Sequence, residues 1–132
     1  MLYFGNSADG NFNYIYNEGA ATVKCYNIFG RFEGDKPLTP EINARLSPCC
    51  SLMIVDNIRE CRVRVEKAGI VEEVVVPKTL MVLYNYLKVQ LGYSLRCKIQ
   101  QTVQRDGCTY TVFLLIVSAD VDIMGYLKQI SQ

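Results

Sequence analysis

The chain has 132 residues, half of them hydrophobic, with 14 basic side chains against 13 acidic ones and no histidine. Its length and apolar content suit one domain with a sizeable core, and its near-neutral balance gives no global attraction to nucleic acid or to an anionic membrane surface. Without histidine, Ser-His-Asp and Cys-His catalysis, His-dependent zinc hydrolysis and His-based phosphoryl transfer cannot be assembled from this chain alone.

The first residues, Met1 to Gly5, lack a basic segment followed by an apolar one, and no stretch approaches the ~18 uninterrupted apolar residues of a membrane span. No Asn-x-Ser/Thr sequon is present. These features predict an intracellular, cytoplasmic protein without a membrane segment.

Leu2 to Phe4 reads as a short strand, followed by a Gly/Asn/Asp loop from Gly5 to Asn11. Phe12, Tyr14 and Tyr16 alternate with Asn11, Asn13 and Asn17 at the period of a half-buried strand, Glu18-Gly19 turns the chain, and Ala21 to Phe29 forms the next strand. Gly30 to Pro37, with two glycines and a proline among four charges, reads as an exposed connection. Thr39-Pro40-Glu41 is a helix start with Thr as the N-cap and Pro at the first position. That helix must be short, because Ser47-Pro48 interrupts it before the apolar run Cys50 to Val55.

Two hairpins follow. Cys61, Val63 and Val65 alternate with Arg62, Arg64 and Glu66, and a turn at Ala68-Gly69 sets Val63 opposite Val74, Cys61 opposite Val76 and Arg64 opposite Glu73. Pro77 opens a helix running to about Leu91 and closed by Gly92, apolar enough to require cover on more than one side. Asp106-Gly107 then suits a two-residue type I′ turn, which pairs Arg105 with Cys108, Val103 with Tyr110, Gln101 with Val112, Ile99 with Leu114 and Cys97 with Ile116. One face of this hairpin is almost wholly apolar. The other carries Arg96, Lys98, Gln100, Thr102 and Gln104 against Thr109, Thr111, Phe113, Leu115 and Val117. Ser118 or Asp120 caps a last helix whose buried candidates are Val121, Ile123, Met124, Leu127 and Ile130.

The fold predicted is a single α+β domain over 1–132, with an N-terminal β-meander over 1–57 and a ββαββα part over 58–132. It is a mainly antiparallel sheet with its helices packed on one face. As topology alone, the order is similar to that of one half of the LAGLIDADG homing endonucleases. Neither predicted helix ends in the Gly-Asp-Gly pattern that carries their metal, so the likeness implies no activity.

Functional candidates are few. Phe113, Leu115 and Val117 need cover that the N-terminal meander does not obviously supply, so they are the expected oligomer interface, in a homo-oligomer or as a subunit of an assembly. Nine tyrosines without a tryptophan also favour an interaction surface. Arg62, Arg64, Arg96 and Lys98 would share one solvent face if both hairpins join a single sheet, and with Phe113 could hold a nucleic-acid backbone and stack a base. Nearby Glu60, Glu66, Glu72 and Glu73 offset that charge.

The six cysteines include no C-x-x-C pair, which disfavours a zinc knuckle or a thioredoxin-type site. Cys61 and Cys97 fall on apolar strand parity and read as small buried hydrophobes, and Cys49-Cys50 lacks an adjacent base to lower a thiol pKa. The Gly5 to Asn11 loop misses the spacing of a calcium loop, and Asp120 and Asp122 have a sufficient role as helix-start acids. No motif calls for a cofactor, a metal or a catalytic group. The expected function is therefore a non-enzymatic structural or protein-interaction protein that self-associates, with nucleic-acid binding through the basic face as the alternative.

Overall fold

In a computed structural model describing residues 1–132, the chain forms one nine-stranded antiparallel sheet carrying three helices. The N-terminal strands β1 (Leu2–Asn6), β2 (Phe12–Asn17), β3 (Thr22–Asn27) and β4 (Phe32–Pro37) make a meander. Its turns are held by short polar side chains. Ser7 Oγ donates to Asp9 Oδ1 (2.6 Å) and accepts from the Phe12 N–H (3.0 Å), while Asn27 Oδ1 accepts from the N–H groups of Phe29 (2.9 Å) and Arg31 (3.0 Å).

β4 occupies the stretch expected to be a loop. An edge strand pairs on one side only, so it accommodates Pro37 at its end and the register shift opposite Cys25/Tyr26 that the Gly-containing sequence permits. After it, Thr39 Oγ1 accepts from the Ile42 N–H (3.2 Å) and caps the single turn α1 (Pro40–Asn43), as the sequence predicts.

β5 (Ser47–Asp56) organises the rest. One of its edges is shared end to end by β1, with Leu2 opposite Cys49, and by β6 (Cys61–Lys67), with Leu52 opposite Val65. The other edge pairs with β9 (Cys108–Ser118), from Cys49 opposite Ser118 to Val55 opposite Val112. β7 (Ile70–Val76) adds to β6, and β8 (Leu95–Arg105) adds to β9. Both hairpins have the predicted registers, Val63 with Val74 and Arg64 with Glu73 in one, Val103 with Tyr110 and Ile99 with Leu114 in the other. Their turns place Ala68 and Gly69, and Asp106 and Gly107, all at positive φ, as a type I′ turn demands.

The helices α2 (Leu80–Leu91) and α3 (Ile123–Ile130) complete the order β6, β7, α2, β8, β9, α3, with a 3₁₀ turn at Gly92–Ser94. Two helix starts differ from expectation. Regular α2 begins at Leu80 rather than at Pro77, and the cap of α3 is Asp122, whose Oδ1 accepts from the Gly125 N–H (3.1 Å), whereas Ser118 is the last residue of β9. Because β5 lies between β6 and β9, the layer under the helices runs β7-β6-β5-β9-β8 and draws its central strand from the segment grouped with the meander on sequence grounds.

Three apolar clusters follow from strand alternation. On one face Cys50, Leu52 and Ile54 of β5, Val63 of β6 and Leu115 of β9 meet Leu83 and Leu87 of α2 and Leu127 of α3. Each fully buried leucine here contributes about 1.5–3 kcal/mol relative to exposure. On the opposite face Cys97, Ile99 and Ile116 lie under Leu2, Phe4, Ile15 and Tyr26 of the meander, and a small third cluster joins Val23 and Cys25 to Leu38, Ile42 and Leu46 around α1. The meander thus lies directly on β8. An added Cβ at Gly30 would stand 2.6 Å from the Lys98 carbonyl oxygen, and Asn13 Nδ2 lies 3.6 Å from Cys97 Sγ. No helix is long and apolar enough to cross a membrane.

Candidate interaction surfaces

Phe113, Leu115 and Val117 are not at an oligomer surface: they are 4, 0 and 0 % exposed, beneath the chain's own helices. The Tyr84 ring of α2 meets Phe113 edge-on, with centroids 5.4 Å apart. Their strand face is mixed because β9 runs under the helix layer while β8 lies at its margin. The cover expected from another subunit is intramolecular, and these three residues offer no surface for association.

The four basic residues do not form one face either. Arg62 and Arg64 alternate with Cys61, Val63 and Val65, which pack under the helices, so both point to the opposite side. Lys98 pairs with Leu115 and lies on the helix side, its Nζ 4.8 Å from the Tyr84 ring centroid and 5.0 Å from that of Phe113. Arg96 occupies the register shift between Leu95 and Cys97, and its Nε donates to Ser118 Oγ (3.2 Å). Each hairpin's own parity is legible in the sequence. The relative parity of the two depends on β5, which joins them, and the single basic face is not formed.

All six cysteines are free thiols, five of them buried and Cys108 exposed beside the hairpin turn. Neighbours Cys49 and Cys50 belong to clusters on opposite faces of β5. Burial pushes the Cys49 thiol up to about 12, with the nearby Cys50 and Glu66 charges adding to it, and pushes Cys61 up to about 11, assisted by Asp56. Cys25, Cys50 and Cys97 move upward for the same first reason. Such thiols are poor nucleophiles at neutral pH. Thiol titration at pH 8 is expected to find one fast-reacting group in the folded protein, lost in Cys108→Ser, and six after denaturation; fast reaction at Cys61 or Cys97 would contradict their role as packed hydrophobes.

No group of three or more Cys, Asp or Glu side chains is arranged to hold a metal ion. Asp9, the one acid of the Gly5 to Asn11 loop, is engaged with Ser7 and the Asn11 N–H, and these hydrogen bonds hold its carboxyl below the usual range.

Exposed apolar area lies elsewhere. On the sheet face away from the helices, Met53, Val71 and Val75 are open to solvent beside Arg62, Arg64 and Glu73. The β8–β9 hairpin also outruns its neighbour. Pairing with β5 ends at Val112, so residues 102–111 pair only with one another, and Gln101 to Thr109 are exposed throughout. On α2, Met81, Val82 and Val89 remain exposed, so the second side that its composition predicts to be covered is open. The projecting arm could have been suspected from strand length, since both hairpin strands run to eleven residues against seven in the other hairpin. Comparison with known proteins gives no relative to set beside this architecture: no family model, no curated protein and no solved structure matches the chain.

Proposed function

We propose that this is a non-enzymatic interaction protein that self-associates through the β8–β9 arm and the sheet face beside it. The observation carrying this reading is the arm itself: ten residues of two-stranded ribbon that lie beyond the last pairing to β5. An isolated ribbon of this kind is marginally stable in water and gains from cover.

The composition of the arm supports a partner of the same kind of surface. Thr102, Val103, Thr109, Tyr110 and Thr111 are uncharged, and the only charges, Arg105 and Asp106, sit at the turn. The outer edge of β8 has no strand beside it, leaving N–H and C=O groups free to pair with an added strand. A second copy of the chain offers such an edge, and two-fold pairing is the commonest closed arrangement for a small protein.

Light scattering at high micromolar concentration tests this. A dimer is expected for the native chain and a monomer for the double variant V103K/Y110E, which puts an opposite-charge pair across the hairpin in place of its apolar contact. A strict monomer in the native chain would overturn self-association, and a dimer that persists in the double variant would remove the arm from the interface.

A further inference from the structure

Where β1, β5, β8 and β9 converge, away from the projecting arm, a groove of about 180 Å³ is lined by Arg45 and Arg96 together with Asn6, Ser47 and Ser118. We propose that this groove is a binding site for a phosphate monoester or the free phosphate dianion, held between the two guanidinium groups.

The charge pattern is the first support. The chain is almost neutral, with 14 basic and 13 acidic side chains, yet none of the nine residues lining this groove is acidic. The ion pairs of the protein are Met1 amino group with Glu18 and Lys24 with Asp35, so neither arginine has a carboxylate within 4.0 Å. Two arginines line one concavity and neither is paired with a carboxylate, a charge that matches the close to −2 that a phosphate monoester carries at neutral pH. Their planar donor forks suit its oxygens in pairs, a geometry that lysine does not supply.

The backbone supplies the second support, because a bulge re-aims Arg96 and a close backbone approach at Gly5 places the segment that carries Arg45. Arg96 is the extra residue of the β8 bulge, and a bulge re-aims a side chain that regular alternation would send elsewhere. Its Nε donates to Ser118 Oγ (3.2 Å), which fixes the plane of the guanidinium and leaves the terminal nitrogens to a ligand. Arg45 approaches from the segment after α1, directly over β1. An added Cβ at Gly5 would stand 2.5 Å from the Arg45 carbonyl oxygen, so only glycine permits this closeness. The side-chain amide of Asn6 and the hydroxyl of Ser47 add uncharged donors to the same wall. The volume admits a tetrahedral oxyanion and no large substituent, so the remainder of an ester would project into solvent.

The test is an NMR titration of the full chain with inorganic phosphate and, separately, with O-phosphoserine, at constant ionic strength set by chloride. Saturable shifts are expected at the backbone amides of Asn6, Ser47 and Ser118, with affinity falling at least tenfold in R45Q and in R96Q and staying unchanged in R62Q. Tighter binding of O-phosphoserine would assign the site to a phosphorylated side chain, and tighter binding of inorganic phosphate would assign it to the free anion. Shifts that do not saturate, that spread equally to Arg62, Arg64 and Lys98, or that survive in the R45Q/R96Q double variant would overturn the proposal. Because the self-association test turns on V103K/Y110E, the two readings fail separately.

Discussion

Leu115→Ala is expected to lower the free energy of unfolding by about 3 kcal/mol, within the range of about 2–5 kcal/mol seen when a buried leucine is truncated. Leu115 is wholly buried in the cluster that joins β5, β6 and β9 to α2 and α3, and pairs with Leu52 across to β5 and with Lys98 across to β8. The side-chain atoms removed are lost from the core, and a sheet braced on both edges of β9 cannot collapse into the cavity. Thermal denaturation is expected to move down by roughly 10 °C, at about 2–4 °C per kcal/mol for chains near this size. The same truncation at Ile58, which is 89 % exposed, is expected to shift the midpoint by less than about 2 °C, in line with surface substitutions near zero kcal/mol. Equal shifts for the two variants would mean that the helix-side cluster is not the core.

Gly30→Ala is expected to cost about 2–3 kcal/mol through two separable effects, a left-handed backbone conformation and a collision. Gly30 has φ +79°, and its added methyl group would fall 2.6 Å from the Lys98 carbonyl oxygen on β8. Gly10, with φ +74° and nothing within 4 Å of an added Cβ, supplies the comparison in which only the backbone effect acts. The difference between the two variants isolates the seating of the meander on β8. Chemical unfolding measures both, and Cys97 gives a local readout: it is buried beneath the meander beside Asn13, so its thiol should become reactive in Gly30→Ala and stay protected in Gly10→Ala. Equal stability of the two variants would mean that the meander does not bear on β8 at this point.

What the residues disclosed in advance was local. Asp106-Gly107 and Ala68-Gly69 fix their hairpins because a two-residue turn leaves one register, and strict alternation on either side admits one pleat. Thr39-Pro40 announced its helix for an equally local reason. β4 escaped because Gly34 and Pro37 are strand breakers everywhere except on an edge, and edge position is a property of the whole sheet. The fate of Phe113, Leu115 and Val117 depended on which face α2 and α3 would choose. The scatter of Arg62, Arg64, Arg96 and Lys98 depended on a strand inserted between their hairpins and on a bulge that alternation does not reveal. The groove at Arg45 and Arg96 was hidden for the same reason, since its two cations lie far apart in the chain and meet only where four strand ends converge.

The double duty of β5 has a consequence for how the chain reaches this state. Its apolar run from Cys50 to Val55 emerges from the ribosome long before the β8–β9 hairpin that covers one whole edge of it. Until that hairpin has been made, β1 and β6 can occupy the opposite edge, but a hydrophobic strand flank stays unpaired and open to other nascent chains. Closing it requires contacts between distant parts of the chain, the kind that slow folding most. The last hairpin is therefore the step that ends the vulnerable interval, and its Asp-Gly turn, which sets the register of β8 on β9 locally, shortens the time that β5 waits.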